Sequence, residues 1–355
     1  MFSAAENVTF GVLSILAGCI STFSFFVHLR AGNTGVILMM FWCFIGLVNK
    51  GINALAFNHS LRLAWTFGCD VSAVIDRSWQ LGLTLSSLCV LQRLEQIASL
   101  RQAHSTISDR KRRLAIDLML GLGIPFIQIP LFFIVQPYRL IVAENIGCSA
   151  PLYSSVPALF VFHLWRLLAS ILCAIFAVLI LRWFVLRQRQ FTAALSSQHS
   201  GLSQRKYFRL FALAVCEAAL VSVGQFYLII DSLRLSGLQR YSWAQVHQDF
   251  DTIAFVPMPL DGHSRSALLP ASILRWLSLT PAVTLFLFFG LTEDAKSIYI
   301  ATWRALKNLS PTWSTKRKRS SDNDAVLVNE SLDLEAIQRP DAKISVLVHK
   351  ERVLQ

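Results

Sequence analysis

Seven separate apolar runs of about 20 residues each leave this chain few ways to fold. A helix of that length crosses the hydrocarbon of a bilayer, and in lipid a helix pairs all its backbone polar groups internally. The runs fall at about 10–29, 35–57, 71–96, 114–135, 158–186, 210–230 and 268–289. Apolar residues make up 54% of the chain and charged ones 15%, with a mean hydropathy of +0.51, too little polar surface for a soluble domain. The fold expected is therefore all-α, a seven-transmembrane helix bundle over residues 1–309. The polar, aromatic-poor stretch 310–355 is expected to be a flexible tail. Pro125, Pro130 and Pro281 fall inside the fourth and seventh runs, where neighbouring groups have to satisfy the backbone they free. No repeat relates the two halves, and no cleaved signal peptide is expected ahead of the first run.

The formal charge of +12 sits between and beyond these runs. It reads as topology and contact with lipid headgroups, not as nucleic-acid binding. Arginine and lysine crowd the loops after the third and fifth runs and the tail after the seventh, which carries KRKR at 316–319. By the positive-inside rule the N-terminus is outside and the C-terminus cytoplasmic. That orientation sorts the cysteines. Cys19, Cys43, Cys89, Cys173 and Cys216 lie within runs, and Cys69 and Cys148 lie on the outer, oxidising side. A disulfide from Cys69 to Cys148 is expected. Asn7 and Asn58 open two N-x-S/T sequons on the same side and are possible glycosylation sites, each close to a span.

Enzyme signatures are absent, with no H-E-x-x-H, G-x-S-x-G or Gly-rich phosphate loop, so no catalytic residues and no cofactor are expected. His247, Asp249 and Asp251 lack a second close histidine or a cysteine pair and read as a solvated acidic loop, so no metal site is expected. The seventh run holds Arg275 and no lysine, which excludes a retinal Schiff base.

Charge within the runs is more informative, because each such group is costly in hydrocarbon. Lys50, Asp76, Arg77, Arg166 and Arg275 fall in the outer halves of four different spans. Two readings stand open. The groups snorkel to the interface around one buried pair, or they line a cavity open to the outside with cations in excess of acids. A pair of Asp76 with Arg166 or Arg275 fits both. At the inner side, Arg93 and Glu95 end the third span, and Glu217 lies within the sixth. The loop between spans five and six is basic at both ends with Phe191, Leu195 and Leu202 between them, which is either an ordinary positive-inside loop or helical extensions of those spans facing a cytoplasmic partner.

Stretches of the chain in order carry a family likeness: WTFGCDV at 65–71, SLCVLQRLEQIAS at 87–99, RKRRLAIDL at 110–118 and the run 135–153. RQRQF at 187–191, RKYFRLFALA at 205–214, SWAQVHQDFDTI at 242–253 and FFGLTEDAKSIY at 288–299 follow. With seven spans and the cysteine pair, the chain resembles the fungal mating-pheromone receptors of the Ste3 type, a G-protein-coupled receptor family. The resemblance implies a multi-pass plasma-membrane receptor for a farnesylated peptide, with a heterotrimeric G protein as inner partner. It also implies a ligand site at Lys50, Asp76, Arg77, Gln80, Arg166, Tyr227 and Arg275, with the Trp243 loop as lid. Phe and Leu side chains of spans two, three, six and seven are expected to supply a slot for the lipid chain. Arg93, Arg187, Arg189, Phe191, Arg205, Lys206 and Arg209 are the corresponding coupling residues. The chain departs from the family in lacking prolines at GLTLSS, 82–87, and between Leu210 and Ile230, where Ser222 and Gly224 stand as softening positions. The competing class is a small-solute transporter or channel using the same charge cluster, against which the absence of repeats argues.

Overall fold

The computed structural model describes residues 3–63, 65–99, 107–186, 204–257 and 272–290. All lie within one compact unit, Met1–Lys296. The structure is mostly helical. Its long helices are α1 Ala4–Arg30, α2 Thr34–Ala56, α3 Thr66–Ala98, α4 Ser108–Val135, α5 Val156–Leu186, α6 Gln204–Ser236 and α7 Ser272–Phe289. Most extend past the apolar runs: α3 begins at Thr66 instead of 71, and α6 ends at Ser236 instead of 230. Helical hydrogen bonding continues where polar side chains again tolerate their surroundings, so composition underestimates helix length.

Six of these helices are long and apolar enough to cross a membrane: α1, α2, α4, α5, α7 and, through Tyr207–Gly224, α6. The exception is α3, which at 33 residues is about 50 Å long but carries too many polar side chains. It is buried without a break from Leu81 to Leu91 and packs against α2, α4, α5 and α6. Its polar groups therefore meet protein. The core around it draws on Met39, Leu47, Leu88, Leu94, Leu213 and Leu285.

Two tryptophans lock α2 to α3. Trp42 of α2 lies on Gly82 of α3, where a Cβ would overlap the indole. Trp79 of α3 lies on Gly46 of α2, where a Cβ would come within 2.6 Å of the ring. Each helix thus offers a glycine notch to the other's largest side chain, a fit that allows a close approach of backbones.

The breaks at two of the prolines are repaired as lipid requires. Pro125 has no N–H for the carbonyl of Gly121, four residues back, and the helix there widens into a π turn over Met119–Gly123. The Trp42 indole N–H donates to that carbonyl at 2.8 Å. Pro281 likewise frees the carbonyl of Leu277, and the Thr280 hydroxyl donates to it at 2.7 Å. A turn at Ser278–Leu279 marks the break in α7.

One end of the bundle is capped by a three-stranded sheet. Strands β1 Leu140–Ala143 and β2 Gly147–Ser149 form an antiparallel hairpin, and β3 Ile253–Val256 joins β1 in parallel, giving the order β2-β1-β3. Cys148 pairs across the hairpin with Val142, and both are buried with Cys69, Phe57 and Leu140. Cys69 and Cys148 are joined as a disulfide with Cα atoms 5.3 Å apart, fixing the hairpin to the first turn of α3.

Candidate functional site

Two cavities open at the sheet end, and they share Arg77. The smaller, about 370 Å³, gathers Lys50 from α2, Asp76, Arg77 and Gln80 from α3, Arg166 from α5 and Arg275 from α7. Phe10 of α1 and Gly224 of α6 complete its wall. Four cationic side chains thus line a space with one carboxylate, among the described residues.

That imbalance is stable because of how each cation is held. Lys50 Nζ sits 2.9 Å from Asp76 Oδ1 and 5.5 Å from the Trp79 ring centre. The three guanidiniums lie on phenyl faces: Arg77 at 3.1 Å from the centre of Phe132, Arg166 at 3.7 Å from Phe162, and Arg275 at 4.1 Å from Phe10. Such contacts contribute about 0.5–2 kcal/mol each, more when water is excluded. Carbonyl and amide oxygens complete the set. Arg77 donates to the carbonyl of Ala150, Arg166 to that of Arg77 at 2.6 Å, and Arg275 to Oδ1 of Asn7.

The carboxylate's partner differs from the one expected. Asp76 pairs with Lys50, not with Arg166 or Arg275. The Trp–Gly locks draw α2 and α3 together and bring these two side chains to one level, while the 2% exposed Arg166 lies under the α3 backbone. Tyr227 does not line the cavity. It lies on α6 one turn nearer the sheet end than Gly224 and is 36% exposed. Trp243 does not line it either. It opens a helical turn, Trp243–Val246, stacks on His247 at 4.0 Å and rests near Phe133 at the end of α4.

The larger cavity, about 670 Å³, lies between α3 and α4 beneath the sheet. Its lining is mainly apolar, with Val74, Phe132, Phe133, Leu140 and Phe250. Of the spans expected to supply a slot for the lipid chain, α3 contributes to this lining among the described residues. A bidentate pair stands at its mouth, Arg139 to the Asp70 carboxylate at 3.2 and 2.7 Å. Those hydrogen bonds hold the exposed Arg139 guanidinium above its ordinary pKa.

An asparagine network holding this end together was not read from the sequence. Asn7, 0% exposed, donates to the Ala54 carbonyl at 2.7 Å and to Asn58 Oδ1 at 3.0 Å, while its own Oδ1 receives Arg275. Asn53 accepts from the Cys148 backbone N–H at 3.0 Å and donates to Ser72 Oγ at 2.6 Å. Asn145 Oδ1 accepts from the His59 backbone at 2.9 Å. The available signal was Asn49 and Asn53, four apart on one face of an apolar run. Asn7 Nδ2 is buried in these bonds, which a glycan on it would displace. Asn58 is half-buried against it.

At the opposite end, Arg93 donates to the Gly32 carbonyl at 2.5 Å, tying α3 to the turn between α1 and α2. Trp183 of α5 donates to Glu95 at 3.2 Å, and the buried Tyr207 of α6 donates to the Leu94 carbonyl at 3.2 Å. Arg205 and Lys206 are in the first turn of α6 and Arg209 is exposed on the next, while Arg187, Arg189 and Phe191 lie outside the described residues.

Against known proteins, the family described as STE3, pheromone A receptor, matches residues 9–307. The chain belongs to this family. It is 67% identical to pheromone receptor 2 of Mycosarcoma maydis over the full length of both chains. It is 30% identical to the pheromone B alpha 1 receptor of Schizophyllum commune over 84% of this chain and 47% of that one. It is 28% identical to pheromone receptor 1 of Mycosarcoma maydis over 77% of this chain and 76% of that one. The chain thus spans about half the length of its Schizophyllum relatives. These relatives are named as receptors, and with six membrane-capable helices this receptor is a multi-pass membrane protein.

Proposed function

We propose that the receptor is a seven-helix G-protein-coupled receptor of the plasma membrane, with its sheet end outside and its C-terminal tail in the cytoplasm. Its ligand is a farnesylated peptide pheromone. In this reading α3 is the seventh span, its polarity tolerated because protein surrounds it. The observation that carries the reading is the convergence of Lys50, Asp76, Arg77, Gln80, Arg166 and Arg275, from four helices, on one cavity. A cavity with cations in excess suits the carbonyl and carboxylate groups of a peptide. Because its walls come from separate helices, a bound peptide can favour one arrangement of them, provided it binds that arrangement more tightly. In the same reading Arg93, Arg187, Arg189, Phe191, Arg205, Lys206 and Arg209 are the residues that couple to the G protein.

The test is expression in a reporter yeast supplied with a matching Gα subunit, followed by a panel of farnesylated peptides. The expected result is peptide-dependent induction that is lost when Arg187 and Arg189 are reversed in charge. Ligand-independent solute uptake, with no induction by any prenylated peptide, overturns the reading and favours a transporter.

A further inference from the structure

The two cavities differ in chemistry yet share one side chain, which suits an occupant that is itself of two kinds. The smaller is lined by charges. The larger is lined by apolar side chains of α3, α4 and the sheet, and its volume of about 670 Å³ is ample for an extended hydrocarbon chain. Its inner wall also holds two buried polar atoms with no hydrogen-bond partner. Arg77 Nε is a donor without an acceptor, and Gln128 Oε1 is an acceptor without a donor. Gln128 is itself 2% exposed, and its Nε2 is directed to the carbonyls of Val161 and Phe162, at 3.3 and 3.4 Å, which orients Oε1 away from them. Both residues line the cavity, and a buried polar atom left unmatched is costly, so the two mark a place where a polar group of an occupant would be matched once the side chains turn to it. An amide matches them, with its C=O toward Arg77 and its N–H toward Gln128.

We propose that the apolar cavity between α3 and α4 seats the isoprenoid chain of the ligand, and that Arg77 and Gln128 hold the amide beside the prenylated residue. The peptide body then continues past Arg77 into the charged cavity. This rests on the pheromone reading above and locates the lipid end of the ligand within it. Slots formed by packed aromatic and β-branched side chains exclude water from the chain, which is where the affinity of a prenyl group comes from.

The experiment uses N-acetyl-S-farnesylcysteine with a photoreactive diazirine in its isoprenoid chain, added to full-length receptor in phosphatidylcholine nanodiscs. After irradiation, labelled peptides are mapped by mass spectrometry. The expected label falls on residues 70–78 and 128–136. Unlabelled N-acetyl-S-farnesylcysteine competes with it, a palmitoyl lysophospholipid does not, and Val74→Trp lowers it at least tenfold. If Val74→Trp fails to fold, the map and the competition on the unaltered receptor decide alone. Label confined to other helices, or equal competition by the lysophospholipid, overturns the proposal, the latter identifying a groove for membrane lipid. The farnesylated-peptide reporter panel is run in parallel. Induction there with label elsewhere rejects the slot and keeps the receptor reading. No induction by any prenylated peptide rejects the reading itself.

Discussion

At the scale of single residues, the cavity at the sheet end gathers four cations around one carboxylate among the described residues. Lys50 and Asp76 form its ion pair, and phenyl faces hold the three arginines. Both side chains of the pair are about a third exposed, so its coupling is modest. In a double-mutant cycle read by receptor melting, Lys50→Met and Asp76→Asn should each destabilise, with a coupling of about 0.5–1 kcal/mol. Additive effects would mean that the pair carries no energy. Asn7 gives a second prediction. Buried and bonded as it is, it should carry no glycan, so Thr9→Ala should leave electrophoretic mobility unchanged before and after glycosidase treatment. Asn7→Ala, which leaves Arg275 and Asn58 short of a partner, should destabilise the receptor by about 1–3 kcal/mol. The charged lining was legible in the sequence because a charge within an apolar run has few innocent explanations. The pairing was not, since it depends on how each helix is rotated about its axis, which packing decides. Phe10, Phe132 and Phe162 were illegible for a related reason: a phenylalanine in an apolar run is unremarkable until a cation is seen above it.

At the scale of elements, α3 is the strut to which the other helices are fitted. Its polarity keeps it out of the set of helices apolar enough to face lipid, while its burial from Leu81 to Leu91 makes that polarity tolerable. The Trp42–Gly82 and Trp79–Gly46 contacts set its distance from α2. Gly82→Ala places a methyl where the Trp42 indole lies and should lower the melting temperature by several degrees, corresponding to about 1–3 kcal/mol. Gly224→Ala meets nothing within 4 Å and should be neutral or stabilising by up to about 1 kcal/mol. Equal melting of the two variants would contradict the notch-and-indole account. The helices themselves were readable from apolar runs to within about six residues at each end. The proline repairs were readable only as a requirement, because which side chain reaches the freed carbonyl is a tertiary matter, answered by Trp42 and Thr280.

At the scale of the whole molecule, the sheet and disulfide form a lid frame that fixes the mouths of both cavities. The Cys69–Cys148 bond closes a loop of 79 residues across α3 and α4. A closure of that size contributes about 2–5 kcal/mol in small secreted domains, mainly by restricting the unfolded chain. Cys148→Ser and Cys69→Ser should therefore reduce surface expression to the same degree, and the double variant should be no worse than either. A double variant clearly worse than both singles would show that each cysteine acts alone. The cysteines were legible from the charge pattern of the loops, which sets these two apart from the five within apolar runs, whereas the hairpin and its parallel third strand were not. Strands this short, Leu140–Ala143 and Gly147–Ser149, carry little periodic signal, and β3 reaches β1 from a loop more than a hundred residues further on. The central claim, that the cation-rich cavity receives the pheromone, is tested most directly by dose–response curves for Arg275→Gln and Arg166→Gln at matched surface expression, with a farnesylated peptide active on the unaltered receptor. The account predicts at least a tenfold loss of potency for each, about 1.4 kcal/mol of binding, and unchanged potency for both at full surface expression would contradict it.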